Sequence, residues 1–279
     1  MNNERMSVYD CQRIELEIMS AIHRFCKDEG LRYLLSYGSL LGAVRHHGFI
    51  PWDNDMDIVM PRSDFEKLLI LLKNTMLENR YYLLHWTTDE RYHYQCARIC
   101  DSHTHVYAPG IREQPTKMGV WVDVFPIDGV APHTPSALPH HMRIELLKNL
   151  QRSNNYSANS SRGVKALGKR LLQTVCPGEH NRWQKKLDEC ASRIAFEDQT
   201  PGGNITEWDK TYNELKISDF NQAILANFED RSFYIPRRFD EILRYEYGEY
   251  MNLPAESERL THPIEAYWVN GVDELKRAE

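Results

Sequence analysis

Apolar residues recur every three to four positions over residues 4–29. Ile14, Ile18, Ile22 and Phe25 share one stripe with Arg, Glu and Lys between them, which predicts an amphipathic helix closed by Gly30. A short aromatic and apolar run at 33–37 then ends at Gly38-Ser39, the pattern of a strand followed by a turn. Ser39 is suited to cap a short helix through Leu40, Leu41 and Val44. Pro51 interrupts the chain. From 53 to 60 acidic and apolar residues alternate (Asp55, Met56, Asp57, Ile58), which predicts a strand with its carboxylates on one face, ended by Pro61. Ser63 and Glu66 stand at capping-box spacing before a helix through Leu68, Leu69 and Leu72. Strand-like runs follow at 81–86, 94–100, 104–108 and 119–125. In the last of these Val120, Val122 and Val124 alternate with Trp121, Asp123 and Phe125. Strands and helices in this order predict an α+β chain with a mixed sheet flanked by helices.

The character changes at Ser136. Residues 136–150 and 181–198 have helical patterns. Between them, Arg162, Lys165, Lys169 and Arg170 accompany Val164, Leu167, Leu171, Leu172 and Val175 in a short basic amphipathic helix. Such a helix is either a solvated face or a dock for anionic lipid or a polyanionic acceptor. Pro201-Gly202-Gly203 reads as a turn or linker, and 237–250 as a helix before a compact tail.

Composition narrows the classes. Of 279 residues, 42% are hydrophobic and 27% charged, enough apolar material for a core, so a wholly disordered chain is excluded. The net charge of -6 argues against nonspecific nucleic-acid binding, and no nucleic-acid partner is expected. No apolar run approaches membrane-spanning length, and MNNERMSVYD has no apolar leader core. The six cysteines form no CxxC pair, which suits reduced thiols and a cytoplasmic location, with peripheral contact at the inner membrane face allowed. Cys96, Cys100, His103 and His105 invite a zinc reading, but a spacing of four between the cysteines fits a strand pair as easily.

The chemistry concentrates in Trp52-Asp53-Asn54-Asp55-Met56-Asp57. On a strand, Asp55 and Asp57 point the same way, ~6–7 Å apart, and can grip one divalent ion. Their apolar neighbours Ile50, Pro51, Ile58 and Val59 argue for a buried location over an acidic exposed edge. Asp123 sits within another apolar run, where a carboxylate needs a metal or a partner; taken alone, a salt bridge to an arginine is the simpler expectation. Gly38-Ser39, between a strand and a helix, offers backbone N–H groups and a hydroxyl to phosphate. Arg45 and Arg98 are the best guanidinium donors for phosphate oxygens, and His46, His47 and His262 are candidate bases, with a structural role the favoured reading for each.

Tyr37-Gly38-Ser39-Leu40-Leu41-Gly42-Ala43-Val44-Arg45-His46-His47-Gly48-Phe49-Ile50-Pro51-Trp52-Asp53-Asn54-Asp55-Met56-Asp57 strongly resembles the signature of the LicD family. That family comprises phosphocholine and fukutin-related sugar-phosphate transferases of the nucleotidyltransferase-fold superfamily. Arg98-Ile99-Cys100-Asp101 with Thr104, the run Trp121 to Asp128, and the tail segments Tyr234-Ile235-Pro236, Tyr247-Gly248-Glu249-Tyr250 and Pro254 match in order. The resemblance covers roughly 30–130 and 228–262. It implies a nucleotidyltransferase-like core over 1–135, a helical insertion over 136–227 that bears on acceptor or membrane surface, and a C-terminal segment over 228–279 completing the core. It further implies Mg²⁺ or Mn²⁺ on Asp55, Asp57 and Asp123, which are also the catalytic residues. Substrate would be bound by Gly38, Ser39, Arg45, Trp52, Asp53, Arg98, Asp101, Thr104 and His262. The implied reaction moves phosphocholine or a related group from a CDP-linked donor such as CDP-choline to a glycan or lipid-linked glycan, as in teichoic acid or lipopolysaccharide synthesis, and releases CMP. The alternatives are a nucleotide-sugar glycosyltransferase using the Asp-x-Asp pair and a non-catalytic glycan- or nucleotide-binding homologue.

Overall fold

The computed structural model describes residues 5–108, 114–132, 134–155, 181–196, 201–206, 214–259, 261 and 263–269. Helix α1 (Val8–Glu29) starts where its cap is. Ser7 Oγ accepts from the Asp10 N–H while the Asp10 carboxylate accepts from the Ser7 N–H, and Arg5, within the expected helix, instead bridges to Tyr267. Gly30 ends α1 at φ 65°, a left-handed cap that favours glycine.

A central sheet follows, built from β1 (Leu34–Leu35), β2 (Asp57–Pro61), β3 (Tyr81–Leu84), β4 (Ala97–Asp101) and β6 (Trp121–Gly129) in the order β1-β2-β6-β4-β3. Strands β2 and β6 run parallel, and the other pairs are antiparallel. Helices α2 (Tyr37–Arg45) and α3 (Arg62–Leu72) flank β2 in sequence. Ile58, Met60, Val122, Val124 and Ile99 are buried in the core, joined by Ile14, Ile18 and Ile22 of α1.

Three local expectations are corrected. Helix α2 begins at Tyr37, so Ser39 lies inside it and is not its cap; its hydroxyl accepts from the Asp57 N–H at 2.8 Å. Strand β2 begins at Asp57 and not at Asp53. The Pro51-Trp52 turn is closed by the Asp53 N–H on the Ile50 carbonyl, and 53–56 is extended chain leading into the strand. Helix α3 starts at Arg62, which places Ser63 within its first turn and leaves the Ser63–Glu66 capping box unused.

Strand β5 (Thr104–Tyr107) turns away from this sheet and pairs with β10 (Glu265–Trp268), which returns the C-terminal segment to the core. Helices α4 (Leu138–Asn155) and α5 (Arg182–Ala191) pack on one another through Ile144, Leu147, Leu150, Trp183 and Leu187, a second apolar cluster. Arg62 ties this layer to the sheet, pairing with Asp128 of β6 at 2.6 Å and Asp188 of α5 at 2.8 Å. Pro201-Gly202-Gly203 is no free linker: Gly202–Gly203 forms β7, paired with Gly129 and Asp128 at the end of β6. A Cβ on Gly202 would stand 2.3 Å from the Phe196 ring, so only glycine admits this approach. Beyond it lie α6 (Ile217–Asn221), the hairpin β8 (Ile224–Phe228) and β9 (Arg231–Ile235), and α7 (Phe239–Tyr247). The stretch 136–227 is therefore not wholly helical. It contributes β7 and most of β8, because its glycines and apolar residues find sheet partners. The basic segment 162–172 lies outside the described residues.

Candidate functional site

The parallel register of β2 and β6 sets Asp57 directly beside Asp123, and the antiparallel register of β6 and β4 sets Arg98 on the other side of Asp123. Register partners share a face, so Asp57, Asp123 and Arg98 form one row across three strands. Asp55 precedes the row on the extended approach to β2, and Asp53 shares a side-chain hydrogen bond with it. The sequence expectation that Asp123 comes from a separate strand to meet the Asp55-x-Asp57 segment matches this placement.

Asp123, only 6% exposed, is also engaged by an arginine, as its sequence context alone implied. Its Oδ1 accepts from Arg98 Nε at 2.9 Å and from the Cys96 thiol at 3.5 Å, and its Oδ2 accepts from Trp121 Nε1 at 2.7 Å. The Arg98 guanidinium is stacked in turn, 3.9 Å from the Trp121 ring centre, 4.9 Å from that of Tyr94 and 5.7 Å from that of Tyr92. Burial is the largest influence and disfavours that charge, but Asp123, Tyr92, Cys96 and Tyr94 together outweigh burial and raise the Arg98 pKa well above its usual range. Arg98 thus holds Asp123.

The remaining acids repel one another. Burial, then Asp53 and Asp123, push the Asp55 carboxyl well above the ordinary carboxylate range, against a smaller opposing pull from Arg98. Burial, then Asp55, Asp123, Asp53 and Glu15, do the same to Asp57. A cation supplied to this neighbourhood relieves these repulsions together, and the donor set of hard carboxylate oxygens suits Mg²⁺ or Mn²⁺. Among the described residues no three His, Cys, Asp or Glu side chains close as a finished metal cage. That is compatible with Mg²⁺, which usually takes one or two carboxylates and completes its shell with substrate phosphates and water.

The other expected substrate residues divide. Gly38 lies against the acidic loop, where a Cβ would stand 2.6 Å from Asp53 Oδ2 and displace that carboxylate. Trp52 lies over the same loop, edge-on to His46 and beneath the Arg259 guanidinium, with its carbonyl accepting from Thr261 Oγ1 at 2.8 Å. Ser39 is buried and occupied by the start of β2. Arg45 donates from Nη1 to the carbonyls of Tyr250 at 2.8 Å and Asn252 at 3.4 Å, which fastens α2 to the C-terminal segment. Asp101 and Thr104 are scaffold. Fully buried, Asp101 pairs with Arg80 at 2.5 Å and accepts the His103 N–H at 2.7 Å, and Thr104 Oγ1 links the Asp101 carbonyl to the Val120 N–H. His262 lies outside the described residues. The zinc reading finds no support: Cys96 sits against Asp123 and Tyr92, and burial pushes the Cys100 thiol up to about 12.

Two polar residues of α1 that the sequence pattern did not single out bear on this loop. Gln12 Nε2 donates to the Asp53 carbonyl at 2.7 Å and to the Ile50 carbonyl at 3.3 Å, holding the loop that carries the acids. Glu15, one turn on, is 2% exposed. Its one signal in the sequence is its position three residues before Ile18 and seven before Ile22, a charge inside the buried stripe.

The LicD/FKTN/FKRP nucleotidyltransferase domain matches residues 30–134, which contain Gly38, Asp55, Asp57, Arg98 and Asp123. The lipopolysaccharide cholinephosphotransferase LicD of Haemophilus influenzae is 28% identical over 280 residues, covering 95% of this chain and 99% of that protein. Shorter similarities join the chain to uncharacterized proteins of Rickettsia typhi (32% identical over 74 residues, 24% of each chain) and Rickettsia prowazekii (40% over 48 residues, 17% of this chain and 18% of the other). The domain match encloses the carboxylate row and one similarity runs nearly end to end, so residues 30–134 carry a LicD-type nucleotidyltransferase domain in a chain that resembles LicD along its length.

Proposed function

We propose that this protein is a divalent-metal-dependent transferase that moves phosphocholine, or a closely related phospho-substituent, from a CDP-linked donor to a hydroxyl of a cell-surface glycan precursor, releasing CMP. The observation that carries the reading is the row Asp57–Asp123–Arg98 with Asp55 at its head, set in a domain shared with a cholinephosphotransferase. Asp55 and Asp57 would hold Mg²⁺ or Mn²⁺, and Asp123 would share in it through its remaining lone pairs. The ion, when bound, neutralises and orients a pyrophosphate. Asp123, held by Arg98 and Trp121 beside Asp57, would either accept the proton of an incoming hydroxyl or serve as a metal ligand alone. Gly38 lets the start of α2 approach the Asp53 carboxylate closely, and Gln12 keeps the 50–53 loop from drifting. The near-complete coverage of the Haemophilus protein favours a lipopolysaccharide or similar glycan as acceptor. Among the described residues no helix is long and apolar enough to cross a membrane, and a cytoplasmic enzyme working at the membrane face fits this reading.

Calorimetric titration with CDP-choline, with and without Mg²⁺, followed by nucleotide analysis of a reaction with glycan acceptor, tests the proposal. The expected result is Mg²⁺-dependent binding and CMP as product. Release of a nucleoside diphosphate from a nucleotide sugar would favour a glycosyltransferase, and binding without turnover of any donor would favour a non-catalytic homologue.

A further inference from the structure

Helix α1 lies outside the 30–134 domain, yet it packs Gln12 onto the loop that carries the acids. Gln12 and Glu15 are one turn apart and therefore share a face of the helix. Gln12 is bonded to the Ile50 and Asp53 carbonyls, which fixes that face against the 50–53 loop. Glu15 is 2% exposed, and its Oε2 is buried with no hydrogen-bond partner among the described residues. The charges that act most strongly on its carboxyl are those of Asp55, Asp53 and Asp123, in that order. No apolar role explains it, since Ile14, Ile18, Met19 and Ile22 already fill the interior side of α1. A buried carboxylate oxygen without a donor costs several kcal/mol unless something arrives to satisfy it. The contrast with Asp123 is direct: both Asp123 oxygens already accept from Arg98, Cys96 and Trp121, whereas Glu15 Oε2 accepts from no described residue.

We infer that Glu15 is a further carboxylate of the divalent-cation site, reaching the ion through one of its bound waters, so that the site spans α1 and the sheet and the chain before residue 30 is part of it. This rests on the proposal that Asp55 and Asp57 hold a cation. It accounts for the Gln12 contacts as well, because a ligand on a separate helix is useful only if that helix is locked to the loop it serves.

Mn²⁺ is the probe, its binding followed by the loss of the free-ion paramagnetic resonance signal. Wild type, Glu15→Gln and Asp57→Asn are compared in the full chain, with melting of the metal-free proteins recorded beside them. The expected result is that Glu15→Gln melts no lower than wild type without metal and binds Mn²⁺ at least tenfold more weakly. Mn²⁺ binding by Glu15→Gln within twofold of wild type, while Asp57→Asn has lost it, overturns the role of Glu15 and leaves the metal reading standing. Absence of Mn²⁺ binding by wild type, with or without CDP-choline, overturns both. Iron-directed cleavage of unmodified protein keeps the test valid should Glu15→Gln fail to fold. With Fe²⁺, ascorbate and peroxide, backbone cuts are expected near residue 15 as well as near 55–57, and cuts near 55–57 alone would refute the inference.

Discussion

The Arg98–Asp123 pair offers the most quantitative test of how the site is held. The charges meet at 2.9 Å with side-chain exposures of 10% and 9%, so neither end can be handed back to water without moving β4 or β6. At that separation and an effective dielectric of ~20 the attraction is about 6 kcal/mol, and removing one partner of such a buried pair typically costs about 3–5 kcal/mol because the other is left uncompensated. Arg98→Met keeps much of the side-chain volume among Tyr92, Tyr94 and Trp121 while deleting the charge and the hydrogen bond. It should lower the unfolding free energy by about 3–5 kcal/mol, with a melting temperature lower by on the order of 10 °C for a chain of this size. Arg98→Lys retains a cation but loses the planar stacking and the fork, and should fall between the two. Urea unfolding at pH 7.5, followed by tryptophan fluorescence and far-ultraviolet circular dichroism, measures the difference. An Arg98→Met protein within about 1 kcal/mol of wild type would mean that Asp123 has another source of compensation, and the account of Arg98 as its anchor would fall.

Asp57→Asn should act in the opposite direction on the metal-free protein. Removing one of two facing acids, spaced about one strand apart, relieves repulsion worth roughly 1–3 kcal/mol, so calorimetry in EDTA should show higher melting while stabilisation by Mg²⁺ disappears. Because Asp55, Asp57 and Glu15 hold protons above the usual carboxylate range, the folded metal-free protein binds more protons than the unfolded chain between about pH 4 and those raised values. Its stability should therefore fall as pH rises through that window, with a flatter profile when Mg²⁺ is present; a metal-free profile that climbs instead would contradict the shifts. Arg62→Met, which strands Asp128 and frees Asp188, should cost about 3–5 kcal/mol and speed amide exchange across α5 before the central sheet. Gly202→Val should separate β7 from β6 by collision with Phe196 and Ile127 and lower the melting temperature, whereas a linker glycine would tolerate the change.

What the sequence made legible is what local pattern controls. The α1 stripe, the valine alternation of β6 and the acid spacing before β2 all follow from side-chain period, and each of those elements formed. The capping and boundary errors share a cause. Ser39 and Ser63 have the right chemistry for helix starts, but the choice between competing starts is made by tertiary contacts, here the Asp57 N–H that claims Ser39 and the strand that feeds directly into α3 at Arg62. Gly202-Gly203 reads as a linker because a residue without a side chain carries no hydrophobic signal, although that lack is what lets β7 reach Asp128 and Gly129. The site shows the same division. Asp55, Asp57 and Asp123 could be singled out because charge in an apolar run is costly wherever the chain goes. Whether Arg98 binds substrate or binds Asp123 depends on the β4–β6 register, which no local pattern contains. Glu15 was hidden more deeply, by being one polar residue in a helix full of them; only the packing of α1 separates it from Glu17, whose carboxylate instead meets Arg231. An acid on the apolar stripe of a helix is therefore worth weighing as a site residue on pattern alone, since the fold can bury it only by keeping it protonated or by supplying a counter-charge.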